Sequence, residues 1–258
     1  MTMTKRSSQE QFDKQAAHYN AQWNAWSEDS LRWLIEHARP QPSDEVLDVA
    51  TGTGFTAFAF APLAQRVTGV DVSEGMLAEA RKKAAGIRNI AFEKAAAESL
   101  PFRGETFDIV TCRVAPHHFE SAPKFLAEAL RVLRPGGRLA IADTTVPDAA
   151  PELDAWQNRV ELLRDPSHVR NYSPAEWRAF AEVAGFQVEE VALLPESQQM
   201  TLEDWLHKSG CVGATADQVR QMFREAPPEV QAAFTIKNAG SAVSFQWLRV
   251  VVAARKPS

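Results

Sequence analysis

Short apolar runs alternate with amphipathic stretches from Val46 to Asp143. Val46, Leu47 and Val49 make the first run, and Val67, Val70 and Val72 the second. Ile90 to Phe92, Phe107 to Cys112 and Arg138 to Asp143 follow. Between them Thr53 to Ala61 reads as a helix of small and aromatic residues, and Glu74 to Ala85 as a helix capped by Ser73. Leu126, Ala129, Leu130 and Leu133 recur at helical spacing until Pro135-Gly136-Gly137 stops them. Strands alternating with helices need crossover connections. The pattern therefore predicts an α/β fold, a Rossmann-like doubly wound, seven-stranded and mainly parallel sheet.

The second half is less regular. Leu153, Trp156, Val160 and Leu163 share one helical face, and Ser173-Pro174-Ala175-Glu176 opens a helix that Gly185 ends. Phe186 to Leu194 reads as a strand. Leu202 to Lys208, Asp217 to Arg224 and Glu229 to Phe234 read as short helices, and Phe245 to Ala254 as a final strand. Residues 1–40 are expected to form N-terminal cap helices. Residues 41–258 form the main domain, with lid insertions at about 146–172 and 195–242, because loops of that length over strand ends commonly cover small-molecule sites.

The chemistry concentrates where the strands end. Asp48-Val49-Ala50-Thr51-Gly52-Thr53-Gly54 closes an apolar run with a carboxylate and two glycines, so the loop can turn sharply and bring backbone N–H groups to a ligand. Asp71 ends the next strand, where a carboxylate can accept both hydroxyls of a ribose. In doubly wound sheets ligands sit outside the carboxyl ends of the strands, and Asp48, Asp71, Arg113 and Asp143 all fall there. A strand-end aspartate such as Asp48 also commonly caps the following helix.

These motifs carry a resemblance. Asp48-x-x-x-Gly52-x-Gly54, Gly69-Val70-Asp71-Val72-Ser73, Ala97-Glu98-Ser99-Leu100-Pro101-Phe102, Phe107-Asp108-Ile109-Val110 and Leu133-Arg134-Pro135-Gly136-Gly137-Arg138 occur in one order. Together they are similar to the class I S-adenosylmethionine-dependent methyltransferases. The stretches Cys112 to Phe119 and Arg164 to Arg170 most resemble the ubiquinone/menaquinone C-methyltransferase group and its bacterial relatives. The resemblance runs from about Phe12 to Ala184. It implies that S-adenosyl-L-methionine is held by Ala50, Thr51, Gly52 and Gly54, by Asp48 through the loop or the cofactor's ammonium, and by Asp71 and Val72 at the ribose. Met76, the Ala96–Ala97 backbone and Glu98 would meet the adenine, though many members have an aspartate where Ala96 stands. The Arg113 carbonyl and His118 would lie near the methionine portion, and Tyr19 in the N-terminal segment near the sulfonium.

Methyl transfer needs alignment and a destination for the acceptor's proton. His117 and His118 follow the fourth strand and are the candidate bases, with Asp143 as a further catalytic or orienting residue. Arg164, Asp165, His168 and Arg170 form a polar set in the first lid, suited either to clamp an anionic or carbonyl-bearing substrate or to tie lid to core. Trp205 is expected in the substrate pocket, with Trp23, Trp26, Trp156 and Trp247 as pocket or core aromatics.

Composition narrows the classes. Lys and Arg total 28 against 33 Asp and Glu, a net charge of −5 with no basic block, which disfavours a nucleic-acid groove. Two cysteines and six histidines offer no metal spacing, so no metal is expected. No segment reaches membrane-span length, and a cytoplasmic protein is expected. The expected partner is a small apolar or aromatic substrate, with a homodimer left open. Two alternatives remain: an NAD-dependent oxidoreductase, since Gly52-x-Gly54-x-x-Ala57 plus Asp71 also fits dinucleotides, and a non-methylating or sensing use of the same cofactor.

Overall fold

Strands that are apolar on both faces need helices on both sides. The computed structural model describes residues 7–15, 28–194, 199–239 and 242–258. Tyr19, Trp23 and Trp26 lie outside them, as does part of the expected N-terminal cap. After α1 (Ser8–Gln15) and α2 (Glu28–Ala38) come β1 (Glu45–Val49), α3 (Phe55–Phe60), β2 (Arg66–Asp71), α4 (Glu74–Lys83), β3 (Ile90–Lys94), β4 (Phe107–Arg113), α5 (Ala122–Val132) and β5 (Leu133–Thr145). Then follow α6 (Pro151–Arg164), α7 (Pro174–Ala184), β6 (Gln187–Leu194), β7 (Met200–Thr201) and α8 (Leu202–Ser209). The chain ends with α9 (Gly213–Arg224), α10 (Pro228–Ala233), β8 (Lys237–Ala239), β9 (Ala242–Phe245) and β10 (Leu248–Arg255).

Seven strands form one sheet in the order β3-β2-β1-β4-β5-β10-β6. The pairings β1–β2, β1–β4, β2–β3 and β4–β5 are parallel, while β10 runs antiparallel to both β5 and β6. The fold is the expected α/β Rossmann-like sheet. Alternation along β10 shows its layers: Val250 and Val252 pack with Phe125, Leu126 and Trp177, while Val251 and Ala253 pack with Trp33, Leu34 and Phe60. Among the described residues no helix is long and apolar enough to cross a membrane.

Local chemistry sets the helix ends. Ser73 caps α4 by accepting from the Met76 N–H at 3.1 Å. Ser173 and Glu176 form a reciprocal capping box on α7, and Gly185 closes that helix at φ 102°. The Pro135-Gly136-Gly137 turn acts one step later than expected. α5 stops at Val132, and the three residues form an irregularity inside β5, between the Phe107–Leu133 and Ile109–Arg138 pairs.

Gly69 in β2 marks a close approach. A Cβ there would meet the Phe92 ring at 2.7 Å and Thr51 Oγ1 at 2.8 Å. Gly69→Ala is expected to cost about 1–3 kcal/mol, since neither neighbour can retreat without repacking. Urea unfolding measures it, and a midpoint equal to that of the wild type would refute the tight fit.

The two insertions fold on each other. Val160 of α6 shares an apolar cluster with Leu202, Trp205, Leu206, Val219, Phe223, Phe234, Phe245 and Trp247. Trp156 belongs to this cluster too, stacked on Phe234 at 5.9 Å. A small antiparallel sheet, β7-β9-β8, completes it and has no counterpart in the sequence reading. The expected single strand from Phe245 to Ala254 is broken. The chain leaves the small sheet at Phe245, Gln246 N donates to Phe234 O at 2.8 Å, and the chain joins the main sheet at Leu248.

Candidate active site

A cavity of about 480 Å³ opens at the carboxyl ends of β1, β2 and β4 and runs beneath the folded insertions. On one side it is lined by Ala50, Thr51 and Gly52 after β1, by Asp71, Val72 and Met76 after β2, and by Ala96, Ala97 and Glu98. Gly52 takes φ +55° and Gly54 φ +86°, so the loop needs residues that tolerate the left-handed region. Two other turns in the lining are strained. Ala50 and Val114, each directly after a central strand, have φ +54° and +53°. For a β-branched residue such as Val114 this costs energy, and such outliers cluster at functional sites.

Asp71 is the hinge of the loop. Its Oδ2 accepts the Gly52 N–H at 2.8 Å and its Oδ1 the Ser73 N–H at 2.9 Å. Burial raises its pKa, against the pull of those backbone donors. Asp48 is placed differently from one of the two expectations. It is buried, does not line the cavity, and accepts from Thr51 Oγ1 at 2.6 Å and Thr111 Oγ1 at 2.9 Å. It thus organises the loop from below rather than facing a ligand. Burial lifts its carboxyl to about 6. Gly54 also lies outside the lining, because its role is steric: a Cβ there would strike Phe58 at 2.8 Å. Arg113 lines the cavity, with its guanidinium held by Thr56 Oγ1 at 2.9 Å and over the Phe55 ring at 4.9 Å.

The two adjacent histidines part company. They sit in a 3₁₀ turn, Pro116–His118, with ring centroids 4.2 Å apart, and both line the cavity. His117 Nδ1 lies 2.6 Å from Asp143 Oδ1, so its Nδ1–H donates to the carboxylate and Nε2 is left for a ligand. Burial pulls the His117 pKa down, but the Asp143 charge and hydrogen bond outweigh it and the net shift is upward. Asp143 itself is 1% exposed and does not line the cavity, so its effect on a ligand runs through His117. Its Oδ2 is buried with no hydrogen-bond partner among the described residues.

His118 takes the same Nδ1–H tautomer but spends it on a different partner. Ser167 Oγ donates to Asp165 Oδ1 at 2.6 Å, and therefore receives the His118 Nδ1–H at 3.1 Å. Burial, then the neighbouring His117, push the His118 pKa down to about 4, so it is neutral at pH 7. The same residue anchors α1. Ser8 Oγ donates to the His118 carbonyl at 3.1 Å, and the Phe12 ring meets the imidazole edge-on at 4.9 Å. Asp13 Oδ1 adds bonds from Ser73 Oγ at 2.5 Å and Gly75 N at 3.1 Å, and Gln11 donates to Ser209 O at 3.1 Å. The helix α1 therefore spans from the Ser73–Gly75 turn after β2 to the second insertion. Ser167→Ala is expected to cost about 1 kcal/mol and to release His118 to a mixture of tautomers. Imidazole ¹⁵N shifts read the tautomer directly, and an unchanged Nδ1–H form would overturn the Ser167 assignment.

Of the polar set in the first insertion, half reaches the cavity. Arg164 and Asp165 line it, but His168 and Arg170 do not. His168 Nε2 pairs with Asn158 Oδ1 at 2.9 Å, and burial drives its pKa to about 2. Arg170 is captured by Asp154 at 2.8 Å and Glu176 at 3.3 Å, which makes it a tie between α6 and α7. Trp205 lines the cavity as expected, under the Arg164 guanidinium at 4.6 Å. Glu161, Met200, Lys208, Trp247 and Arg249 complete that side. Of these the sequence reading named only Trp247, although Arg249, a lone charge entering the apolar run Val250-Val251-Val252, was a usable signal.

An α/β sheet of this order, with a glycine loop after β1 and an acid after β2, defines a Rossmann-like cofactor-binding fold. The comparisons narrow it. A family model described as a methyltransferase domain matches residues 47–141. The uncharacterized methyltransferase YcgJ of Bacillus subtilis is 34% identical over 240 residues, covering 91% of this chain and 93% of that protein. Its crystal structure superposes with a TM-score of 0.82 at 33% identity, covering 89% of this chain and 98% of that one. The demethylmenaquinone methyltransferase of Clavibacter sepedonicus is 32% identical over 181 residues, covering 69% of this chain and 71% of that protein. The chain belongs to the class I S-adenosylmethionine-dependent methyltransferase family. The oxidoreductase and non-methylating alternatives gain no support from these relatives.

Proposed function

We propose that the cavity binds S-adenosylmethionine along the ends of β1, β2 and β4 and directs methylation of a small apolar or aromatic metabolite under the folded insertions. The observation that carries this reading is the His117–Asp143 pair, 2.6 Å apart, whose imidazole lines the same cavity as the Asp71 carboxylate and the Gly52 loop. The lining suits the cofactor. Each Asp71 oxygen takes one backbone N–H and retains a lone pair for a ribose hydroxyl. Val72 would lie beside Asp71 at the ribose, and Met76 and the backbone of Ala96 and Ala97 would flank the adenine with Glu98 at its edge. Ala50 to Gly52, the Arg113 carbonyl and His118 would surround the methionine portion.

Bound there, the cofactor supplies an electrophilic methyl group, which the acceptor must meet in line. The protein's part is to orient the acceptor, exclude water and take its proton. His117 does the last of these: with Nδ1–H committed to Asp143, Nε2 accepts the proton from the acceptor's hydroxyl or acidic C–H, and Asp143 stabilises the imidazolium that forms. His117 is the better base of the pair, because the low pKa of His118 makes it a weak one. Asp143 is a positioning residue. The helix α1 and the two insertions act as covers over the sheet of the 41–258 domain. The free thiols of Cys112 and Cys211 support a reducing, cytoplasmic setting.

Isothermal titration with S-adenosylhomocysteine is expected to give saturable binding with micromolar affinity, as for an enclosed cofactor site. Mass spectrometry of reactions with a panel of phenols, quinols and indoles then tests the acceptor class. Absence of binding by either cofactor form would overturn the reading.

A further inference from the structure

Among the described residues the acids lining the cavity are Asp71, Glu98, Glu120, Glu161 and Asp165. Three of them already hold backbone N–H groups. Asp71 takes those of Gly52 and Ser73, Glu98 that of Ser121 at 3.3 Å, and Asp165 that of Ser167 at 2.9 Å. Glu120 is exposed to solvent. Glu161 differs from all four. It is 5% exposed, and among the described residues no hydrogen bond reaches its carboxylate. Its ion-pair partner, Arg164 Nη1, stands at 3.7 Å, too far for a hydrogen bond. The Arg164 guanidinium is held elsewhere, with Nε donating to Trp205 O at 3.1 Å and the group lying over that ring at 4.6 Å. Nor does the helix gain from Glu161. It lies in the last turn of α6, where a carboxylate meets the negative end of the helix dipole. A buried carboxylate is costly unless donors meet it, and this one opens on the cavity that His117 also lines. Burial raises the Glu161 pKa, and the charges of Glu161 and His117 act on each other.

We infer that Glu161 selects the methyl acceptor: its carboxylate receives an O–H or N–H of a neutral molecule whose apolar body lies against Trp205 and Trp247. The inference rests on the reading that this cavity holds cofactor and acceptor together. The substrate contact expected of Arg164 passes to the acid one turn before it, and Arg164 becomes a positioning residue. The physical gain is specificity. A molecule whose donor hydrogen is replaced by a methyl group leaves Glu161 buried and unbonded, so the site rejects it by more than the lost contact alone. The charge of Arg164 beside Glu161 offsets that of the carboxylate, which suits the pair to a neutral donor rather than to an ammonium. The indoles of Trp205 and Trp247 and the thioether of Met200 supply the apolar walls.

The test is isothermal titration of the full chain, with and without S-adenosylhomocysteine, by two matched pairs of probes. They are 2-naphthol with 2-methoxynaphthalene, and indole with 1-methylindole. One of the two donors is expected to bind at least about fivefold more tightly than its methylated analogue, and which one tells O–H from N–H. Glu161→Met is expected to bring that ratio to within about twofold, while S-adenosylhomocysteine affinity stays the same. Glu161→Gln keeps a carbonyl acceptor without the charge and is expected to retain part of the preference, which a packing role would not produce. Thermal melts show which variants fold, and where Glu161→Met does not, the partial loss in Glu161→Gln decides. Methylated analogues that bind as well as both donors, no measurable binding of any probe, or a preference unchanged in every folded variant would overturn the inference. So would loss of S-adenosylhomocysteine binding in a folded Glu161→Met, which would place Glu161 with the cofactor. Absence of S-adenosylhomocysteine binding by the wild type would instead strike the cofactor reading, while the donor-to-analogue ratio still decides the role of Glu161.

Discussion

Asp71→Ala is expected to abolish measurable S-adenosylhomocysteine binding, a loss of about 3 kcal/mol or more, which is roughly a hundredfold. Two effects add. The ribose diol loses an ionised acceptor in a buried setting, where each charge-assisted bond is worth about 1.5–3 kcal/mol. The loop also loses its tie, since Asp71 is the acceptor for both Gly52 N and Ser73 N. Asp71→Asn separates them. It keeps one carbonyl acceptor but loses the charge and presents an NH₂ to one of those donors, so an intermediate affinity is expected. Circular dichroism and thermal melts of both variants report whether the fold survives. An Asp71→Ala affinity within about threefold of the wild type, less than 1 kcal/mol, would remove Asp71 from the cofactor site.

The second large effect concerns Asp143→Asn. Without the carboxylate, burial is opposed only by the smaller pulls of Glu161 and Asp165, so the His117 pKa is expected to fall from above 6.5 to below it. The ¹H–¹³C signal of the His117 Cε1–H reads this without any acceptor in hand. Turnover of an identified acceptor is expected to drop by about 10²–10⁴-fold, with the acidic limb of the kcat/KM profile moving to lower pH. The sign for stability follows from linkage. Because the folded state holds the His117 proton more tightly than the unfolded chain, the pair's stabilisation is complete below 6.5 and is lost as pH rises through the folded pKa. His118, lowered to about 4, acts oppositely and makes stability rise with pH between about 4 and 6.5. Asp143→Asn should erase the decline above 6.5 and leave the rise below it. A wild-type His117 that titrates below 6.5, or a variant with the wild-type profile, would refute the pair.

Legibility tracked locality. The Gly52–Gly54 loop, Asp71 and the Ser73 and Ser173 caps were readable because each is decided by neighbours within a few residues: a turn that needs positive φ, a carboxylate at a strand end, an oxygen aimed at the first turn of a helix. Alternation of strands and helices was readable for the same reason. The role of Asp48 was half readable. Its position beneath the loop is local, but its capture by Thr111 depends on β4 lying beside β1.

The insertion side of the cavity was not readable. Arg164 and Arg170 lie six positions apart and look alike in sequence, yet one reaches the cavity and the other is consumed by Asp154 and Glu176. His117 and His118 are consecutive, and the 3₁₀ turn sends one to Asp143 and the other to Ser167. Lys208 and Arg249 join them only because the two insertions share one apolar cluster and β10 returns beside β5. Short-range backbone preference and hydrophobic period are written along the chain, so the class of fold and the Gly52–Asp71 end of the cavity follow from the order of residues. Which charged side chains meet across the cavity depends on packing between segments far apart in the chain, and that appears only when the elements are assembled.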